Sequence, residues 1–425
     1  MRYITALLKE TLPLFPATLL LGARQMGKST LAHALVDTGL VDQYITLDDL
    51  SVLSLIQADP DGFLKNLSGS AVLDEIQRVP DLMRALKKSI DENRQKGRFL
   101  LTGSANVLAH PAVRESLAGR MDVLILEGLS LAERLKLPTP CFFKTLLQES
   151  LSDFKSFLIQ AKKNCPLLSP QVLQDSIFFG GYPEVAMAQN TAFAERYFQA
   201  YQTTYIEKDI RDLARGIDIV QFSQVAKSLL LQTGNLLNYQ RTSTDMRLDQ
   251  RTVKRYQELL EMTFQIIALE PWSRNPLKRT IKTPKIYAQD SGIASFVHHI
   301  RSPSDLPHSS YFGAIFETFF FAELRKQLQF IPGAAPFFYR THAGAEVDFV
   351  LEYGPQWVGL ELKASHSVNP KDFKGLRDLQ DAHQSPLKAG IVLYQGDEIL
   401  FVEENLMAIP LRYALLSSYP PPMIR

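Results

Sequence analysis

One stretch limits what this chain can become more than any other. Gly22-Ala23-Arg24-Gln25-Met26-Gly27-Lys28-Ser29-Thr30 satisfies G-x-x-x-x-G-K-[ST], with an apolar run, Thr18 to Leu21, before it and a helical pattern, Leu31 to Val36, after it. A strand, a glycine-rich turn and a helix in that order make a phosphate-binding loop. The glycines permit a tight turn whose N–H groups converge at a helix N-terminus, where anions are favoured. The surrounding pattern of short apolar runs alternating with amphipathic stretches makes the fold class α/β, with a parallel sheet and crossover helices. All nine residues from Gly22 to Thr30 are expected to cradle a nucleotide, with Lys28 neutralising its β- and γ-phosphates and the Ser29 hydroxyl ligating Mg²⁺.

Expected strands follow at Tyr44 to Leu47, Ala71 to Leu73, Phe99 to Leu101 and Val123 to Leu126, and several end in residues suited to phosphoryl chemistry. Asp74 closes the run Ala71-Val72-Leu73 and is placed to hold Mg²⁺; Glu75 beside it is suited to polarise an attacking water. Leu101-Thr102-Gly103-Ser104 puts a polar group where it touches both the γ-phosphate and the water, Ser104 ahead of Thr102. Arg120, just before the next strand, reads either as an arginine finger reaching a neighbouring subunit's nucleotide or as a solvated turn residue. Leu82, Leu86 and Ile90 fall four apart on a helix that Gly97 is expected to cap.

Length and charge bound the rest. At roughly 150 residues per domain, 425 residues hold about three domains. Lys and Arg number 46 against 45 Asp and Glu, which excludes a chain that coats nucleic acid by charge alone. Two cysteines, Cys141 and Cys165, exclude a disulfide framework. The uncharged run Thr11 to Ala23 contains Pro13 and Pro16 and is too short to span a bilayer, so a soluble, cytoplasmic protein is expected.

The expected domains are 1–137 for the nucleotide-binding part, 138–215 as a helical lid, 216–297 as a basic, winged-helix-like part and 311–425 as a C-terminal α/β part, with the loop His298 to Ser310 as a boundary. From Arg241 to Lys285 ten Lys or Arg stand against five acids, a local +5. Asp249 caps an expected helix, Gln250 to Met262, that turns Val253, Tyr256 and Leu260 inward and leaves Arg251, Lys254 and Arg255 to solvent. Ile266 to Leu269 and Lys285 to Tyr287 then form a hairpin with a basic tip that includes Lys278 and Arg279. Helices followed by a basic hairpin suit DNA contact through Arg251, Lys254, Arg255, Lys278 and Arg279, with steep salt dependence and little sequence preference. The competing reading is a winged helix that packs within its own assembly.

In the last segment, Asp348 is separated by twelve residues from Glu361, which is followed by Lys363. Alternation puts Glu361 and Lys363 on one strand face, and strand pairing brings Asp348 beside them. Asp348 and Glu361 are then candidate Mg²⁺ ligands, and Lys363 a candidate to position the attacking water at a phosphodiester. That pattern is similar to the PD-(D/E)xK nucleases, with Glu317 as a further acid. A nuclease-like fold kept for binding is the alternative.

The motifs G-A-R-Q-M-G-K-S-T, L-D-E-I-Q around Asp74, L-T-G-S-A at Leu101 and S-L-A-G-R ending at Arg120 resemble the bacterial and archaeal AAA+ ATPases that carry a C-terminal domain of unknown function. Gly180-Gly181-Tyr182-Pro183-Glu184, Tyr205-Ile206-Glu207-Lys208-Asp209-Ile210 and Pro284-Lys285-Ile286-Tyr287 are similar to that family too. The resemblance implies ATP as the nucleotide and a homo-oligomer, read as a hexameric ring. The expectation is an ATP-hydrolysing, DNA-remodelling motor with a restriction-endonuclease-like C-terminal domain. The alternative is a nucleotide-gated switch that recognises a protein partner.

Overall fold

The computed structural model describes residues 2–418, apart from residues 80, 105–118, 206–209, 211–215, 276–278, 280–282, 342–343 and 382–386. The chain separates into two compact units. The first comprises Met1–Leu129 with Glu207–Arg215 and Glu258–Gln265. Its sheet runs β2-β3-β4-β1-β5, every pair parallel. The strands are β1 (Ala17–Leu21), β2 (Gln43–Thr46), β3 (Ala71–Asp74), β4 (Phe99–Gly103) and β5 (Met121–Ile125). In β1, β3 and β4 every residue is buried, because helices cover both faces of a parallel sheet; that is why these segments read as unbroken apolar runs. β2 and β5, at the edges, are only partly covered. Leu19 aligns with Leu101 on one side and Val123 on the other, so the turns leaving β1, β3 and β4 open at one end of the sheet.

The helix Leu82–Glu92 buries Leu82, Leu86 and Ile90 as its spacing predicts. Its cap is Asn93 rather than Gly97, which instead takes φ +70° in the turn entering β4. The expected strand at Val123 to Leu126 begins earlier, at Met121, because pairing with Ala17 extends it.

The second unit holds Ser130–Ile206, Gly216–Gln257 and Ile266–Arg425. Its first part is helical as expected: Phe142–Gln148, Leu151–Asn164, Pro170–Phe179, Pro183–Ala188 and Thr191–Tyr205. Gly180, at φ +67°, lies so close to Asp290 that a Cβ would meet Oδ1 at 1.9 Å, and Asp290 also accepts the Gly181 N–H at 2.7 Å.

Next come the helix Ile219–Leu230, the short β6 (Asn235–Leu236), the helix Tyr239–Met246, the helix Gln250–Met262, whose end from Glu258 is counted with the first unit, β7 (Ile266–Leu269) and β8 (Lys285–Ala288). The three strands form an antiparallel sheet in the order β6-β8-β7.

A six-stranded sheet follows, ordered β13-β14-β12-β11-β10-β9, from β9 (Ala334–Arg340), β10 (Glu346–Tyr353), β11 (Gln356–Lys363), β12 (Ala389–Tyr394), β13 (Leu400–Phe401) and β14 (Leu406–Pro410). The helix Phe312–Leu328, rich in buried Phe, packs with it through Phe320 and Phe321 against Phe349.

The segments expected as lid, basic part and C-terminal part gather for the most part in this one unit. The loop His298 to Ser310 lies within this unit and contains a 3₁₀ turn, Pro303–His308, with Leu306 fully buried. Trp272, in the connection after β7, donates its backbone N–H to the carbonyl of Phe338 in β9 and packs 5.2 Å from Trp357. No helix among the described residues is long and apolar enough to cross a membrane.

Candidate functional site: a phosphate-binding loop and a buried acid–lysine cluster

The loop after β1 has the shape its glycines foretell. Gly22 lies where a Cβ would come within 2.4 Å of the Leu126 carbonyl oxygen, so no other residue fits without moving β5's exit. Gly27 takes φ +87° as the N-cap of the helix Lys28–Asp37, a left-handed conformation that glycine adopts without steric cost. Lys28 Nζ donates to the Gly22 and Ala23 carbonyls at 2.9 Å each, which folds the ammonium over the loop.

Asp74, buried at the end of β3, collects hydroxyl groups. Ser29 Oγ donates to its Oδ2 at 2.8 Å, Tyr44 Oη donates to the same oxygen, and Thr102 Oγ1 donates to Oδ1. A serine hydroxyl beside a carboxylate, next to a loop shaped for phosphates, is the hard-oxygen donor set that Mg²⁺ takes, so Ser29 and Asp74 fit the ion.

Glu75 adopts φ 61°, ψ 47°, a left-handed conformation that turns the chain sharply out of β3. Its carboxylate accepts from Gln77 Nε2 and from Ser104 Oγ, the latter at 3.3 Å, while Gln77 also donates to Ser104 Oγ at 3.0 Å. The structure thus brings Ser29, Asp74, Glu75, Thr102 and Ser104 together. Thr102 Oγ1 donates to the Asp74 carboxylate and accepts the Glu75 N–H at 3.1 Å, while Ser104, just after β4, meets the Glu75 carboxylate. Sequence reading misses Tyr44 and Gln77; Tyr44 sits in an apolar strand pattern with nothing local to mark its hydroxyl. Arg120 is paired within its own chain: Nε lies 2.8 Å and Nη2 3.0 Å from the Asp91 carboxylate, whose pKa that contact holds below the usual range.

Among the DNA candidates, Arg251, Lys254 and Arg255 are exposed on the helix Gln250–Met262, with Val253 and Tyr256 buried and Asp249 accepting the Thr252 N–H at 3.0 Å. Lys278 lies outside the described residues. Arg279 is a correction. It is buried, donates from both terminal nitrogens to Glu352, and lies over the Phe337 ring at 4.4 Å. A guanidinium so committed is not available to phosphates.

Lys285 corrects the +5 in the same way. It is buried between Glu346 at 2.8 Å and Glu317 at 3.1 Å. Burial pulls its pKa down, and Glu317, Asp348 and Glu346 more than reverse this, leaving the ammonium charged. Tyr287, two residues along β8, donates to Glu317 Oε1 at 2.5 Å.

These contacts belong to the C-terminal candidate site. Phe349 pairs with Leu360, so one step along the register sets Asp348 opposite Glu361. Asp348 accepts the Leu362 N–H at 2.8 Å, and Lys363 Nζ reaches Glu361 at 2.9 Å and Asp372 at 4.0 Å. Burial, then proximity to Asp348, pushes Glu317 up to about 7 and Glu361 up to about 8; burial raises Asp348 too. Glu361 Oε2 is buried with no hydrogen-bond partner. The predicted trio of Asp348, Glu361 and Lys363 is together, with Glu317 adjoining. Lys285 and Tyr287 escape a sequence reading, because they come from a strand some sixty residues upstream of Asp348. Among the described residues, no three His, Cys, Asp or Glu side chains form a ready metal cage.

Comparison with known proteins divides the chain in three. Residues 15–135 match the AAA domain family, residues 171–304 a domain of unknown function (DUF8612) and residues 312–414 another (DUF4143). With its loop and sheet, the first segment is a P-loop AAA-type domain, and that match supports ATPase activity. Uncharacterized proteins Rv2008c of Mycobacterium tuberculosis and Mb2031c of Mycobacterium bovis are each 27% identical over 411 residues, covering 94% of this chain and 84% of theirs. Among solved structures, a single-substitution variant of Thermotoga maritima RuvB is 15% identical, with 64% of this chain and 86% of that one covered and a TM-score of 0.28. AMPPCP-bound DnaA from Aquifex aeolicus is 12% identical, with 61% and 86% covered and a TM-score of 0.24. Likenesses that slight carry no functional argument.

Proposed function

We propose that the chain is an ATP-hydrolysing AAA-type machine that acts on DNA. One observation carries the hydrolytic part: Ser29 Oγ lies 2.8 Å from the Asp74 carboxylate, with Glu75 on Ser104 beside it. In this reading Lys28 and the loop N–H groups hold the phosphates, Ser29 and Asp74 hold Mg²⁺, and Glu75 orients the water. Released from Asp91, Arg120 serves a neighbouring subunit's nucleotide, within a homo-oligomer we take to be a hexameric ring.

The DNA part is supported by the element order helix–strand–helix–helix–strand–strand, that of a winged helix, and by exposed Arg251, Lys254 and Arg255 on its third helix. Branched DNA of the Holliday-junction kind is the form we propose. ATP turnover is expected to rise when DNA is added, with stimulation lost in the triple variant Arg251→Glu, Lys254→Glu, Arg255→Glu and weakened steeply by salt. Steady-state assays with single-stranded, duplex and branched DNA check this. Turnover indifferent to all three would favour instead a nucleotide-gated switch facing a protein partner.

We also assign phosphodiester cleavage to Asp348, Glu361 and Lys363. Mg²⁺ takes one or two carboxylates and keeps waters, and the unpartnered Glu361 Oε2 opposite Asp348 suits such a site. The ion would supply charge stabilisation at the phosphate, and Lys363 would hold the water. Asp348→Ala and Lys363→Ala are each expected to abolish Mg²⁺-dependent cleavage of labelled branched DNA. No cleavage by the unsubstituted chain would leave this site a binding role.

A further inference from the structure

The nucleotide site contains a side chain that the phosphate-binding motifs do not name. Tyr44 lies on edge strand β2, whose register places Ile45 beside Leu73 and Thr46 beside Asp74. Its hydroxyl donates to Asp74 Oδ2, the same oxygen that receives Ser29 Oγ. Its ring packs on His33, with centroids 3.8 Å apart. His33 stands four residues after Ser29 on one helix, so the two lie on the same side one turn apart. The helix that carries the Mg²⁺-binding hydroxyl therefore also carries the plate against which the tyrosine rests.

We propose that Tyr44 is a positioning residue for the nucleotide-bound metal ion, acting through Asp74 and braced by His33. This rests on the reading of the loop as an Mg·ATP site. Asp74 takes three hydroxyl donors, two on Oδ2 and one on Oδ1. Three donors on one carboxylate leave it a single orientation, so the carboxylate is already aimed before the ion arrives and loses little freedom on binding. Without the Tyr44 hydroxyl, the remaining hydroxyl on Oδ2 is that of Ser29, itself committed to the ion. The carboxylate then regains rotation, and the cost falls on metal binding rather than on the binding of the nucleotide's base and sugar.

The test is a Mg²⁺ titration of ATP turnover by the full chain and by Tyr44→Phe, which keeps the ring and removes only the hydroxyl. The Mg²⁺ concentration for half-maximal turnover is expected to rise about tenfold, the effect of losing one hydrogen bond to a charged group. Turnover at saturating Mg²⁺ should fall far less, and the affinity for a fluorescent ATP analogue in EDTA should not change. His33→Ala, which removes the brace and keeps the hydroxyl, is expected to shift the Mg²⁺ requirement in the same direction by a smaller factor.

An unchanged Mg²⁺ requirement in Tyr44→Phe overturns the proposal, as does an equal loss of nucleotide affinity with and without metal, which would mark a merely structural role. If the unsubstituted chain turns over no ATP, the ATPase reading is what fails. Mn²⁺ binding to the nucleotide complex, followed by electron paramagnetic resonance in both chains, then still decides the role of Tyr44.

Discussion

Lys28→Ala is expected to lower ATP turnover by at least about a hundredfold, because its ammonium is folded over the loop, and charge on the terminal phosphates grows as the bond to the leaving group loosens. Two of its bonds go to carbonyls of its own loop, and the sheet and the helix Lys28–Asp37 are expected to persist, as circular dichroism would show. Full turnover by this variant would remove the loop from the mechanism and, with it, the roles given to Ser29, Asp74 and Tyr44.

The second large effect is on stability. Lys285→Met removes the ammonium held between Glu317 and Glu346 in the second unit, and breaking a buried ion pair by deleting one partner costs about 3–5 kcal/mol. The cost should depend on pH. Glu317 and Asp348 already have pKa values raised by burial, and losing the ammonium raises them further. A carboxyl with a raised folded pKa is at no disadvantage below its unfolded value, near 4.5 for Glu317, and loses stability as pH climbs from there toward and through its folded value. The variant should therefore be close to the unsubstituted chain near pH 5 and far less stable near pH 8.

Tryptophan fluorescence reads this selectively. Both tryptophans of the chain, Trp272 and Trp357, pack together in the second unit, so urea unfolding followed by their emission reports that unit and not the nucleotide-binding one. An equal loss at both pH values, or none, would show that Lys285 does not carry the charge balance assigned to it.

The difference between these two lysines also explains what can be read from the sequence. Lys28 declares itself because its partners are its neighbours: two glycines, a strand and a helix within a dozen residues. The parallel sheet is legible for the same reason, since strands buried on both faces need contiguous apolar residues. Asp74, Glu75, Thr102 and Ser104 can be found because each lies at the end of such a strand. Lys285 and Arg279 mislead because their partners, Glu317, Glu346 and Glu352, lie some thirty to seventy residues further on. Counting charge along a segment treats every cation as solvated, whereas these two are neutralised by residues that only folding brings near. Gly97 misleads for a smaller reason: a helix end and the turn after it draw on the same residue types, and a positive φ does not say which is meant. Tyr44 carries no signal at all, because a tyrosine in a strand is ordinary until its hydroxyl has a partner.

Strand β8 has a consequence for ancestry. Two recognisable sequence families meet near residue 304 and residue 312, as though each were a separate heritable piece. Yet Lys285 and Tyr287 belong to the first, and their acidic partners Glu317 and Glu346 to the second. A recombination event that joined the second family to a different upstream neighbour would take from Glu317 and Glu346 the ammonium they share. Selection should therefore transmit the two segments as a linked pair, with a lysine at the start of that strand wherever the acids are kept.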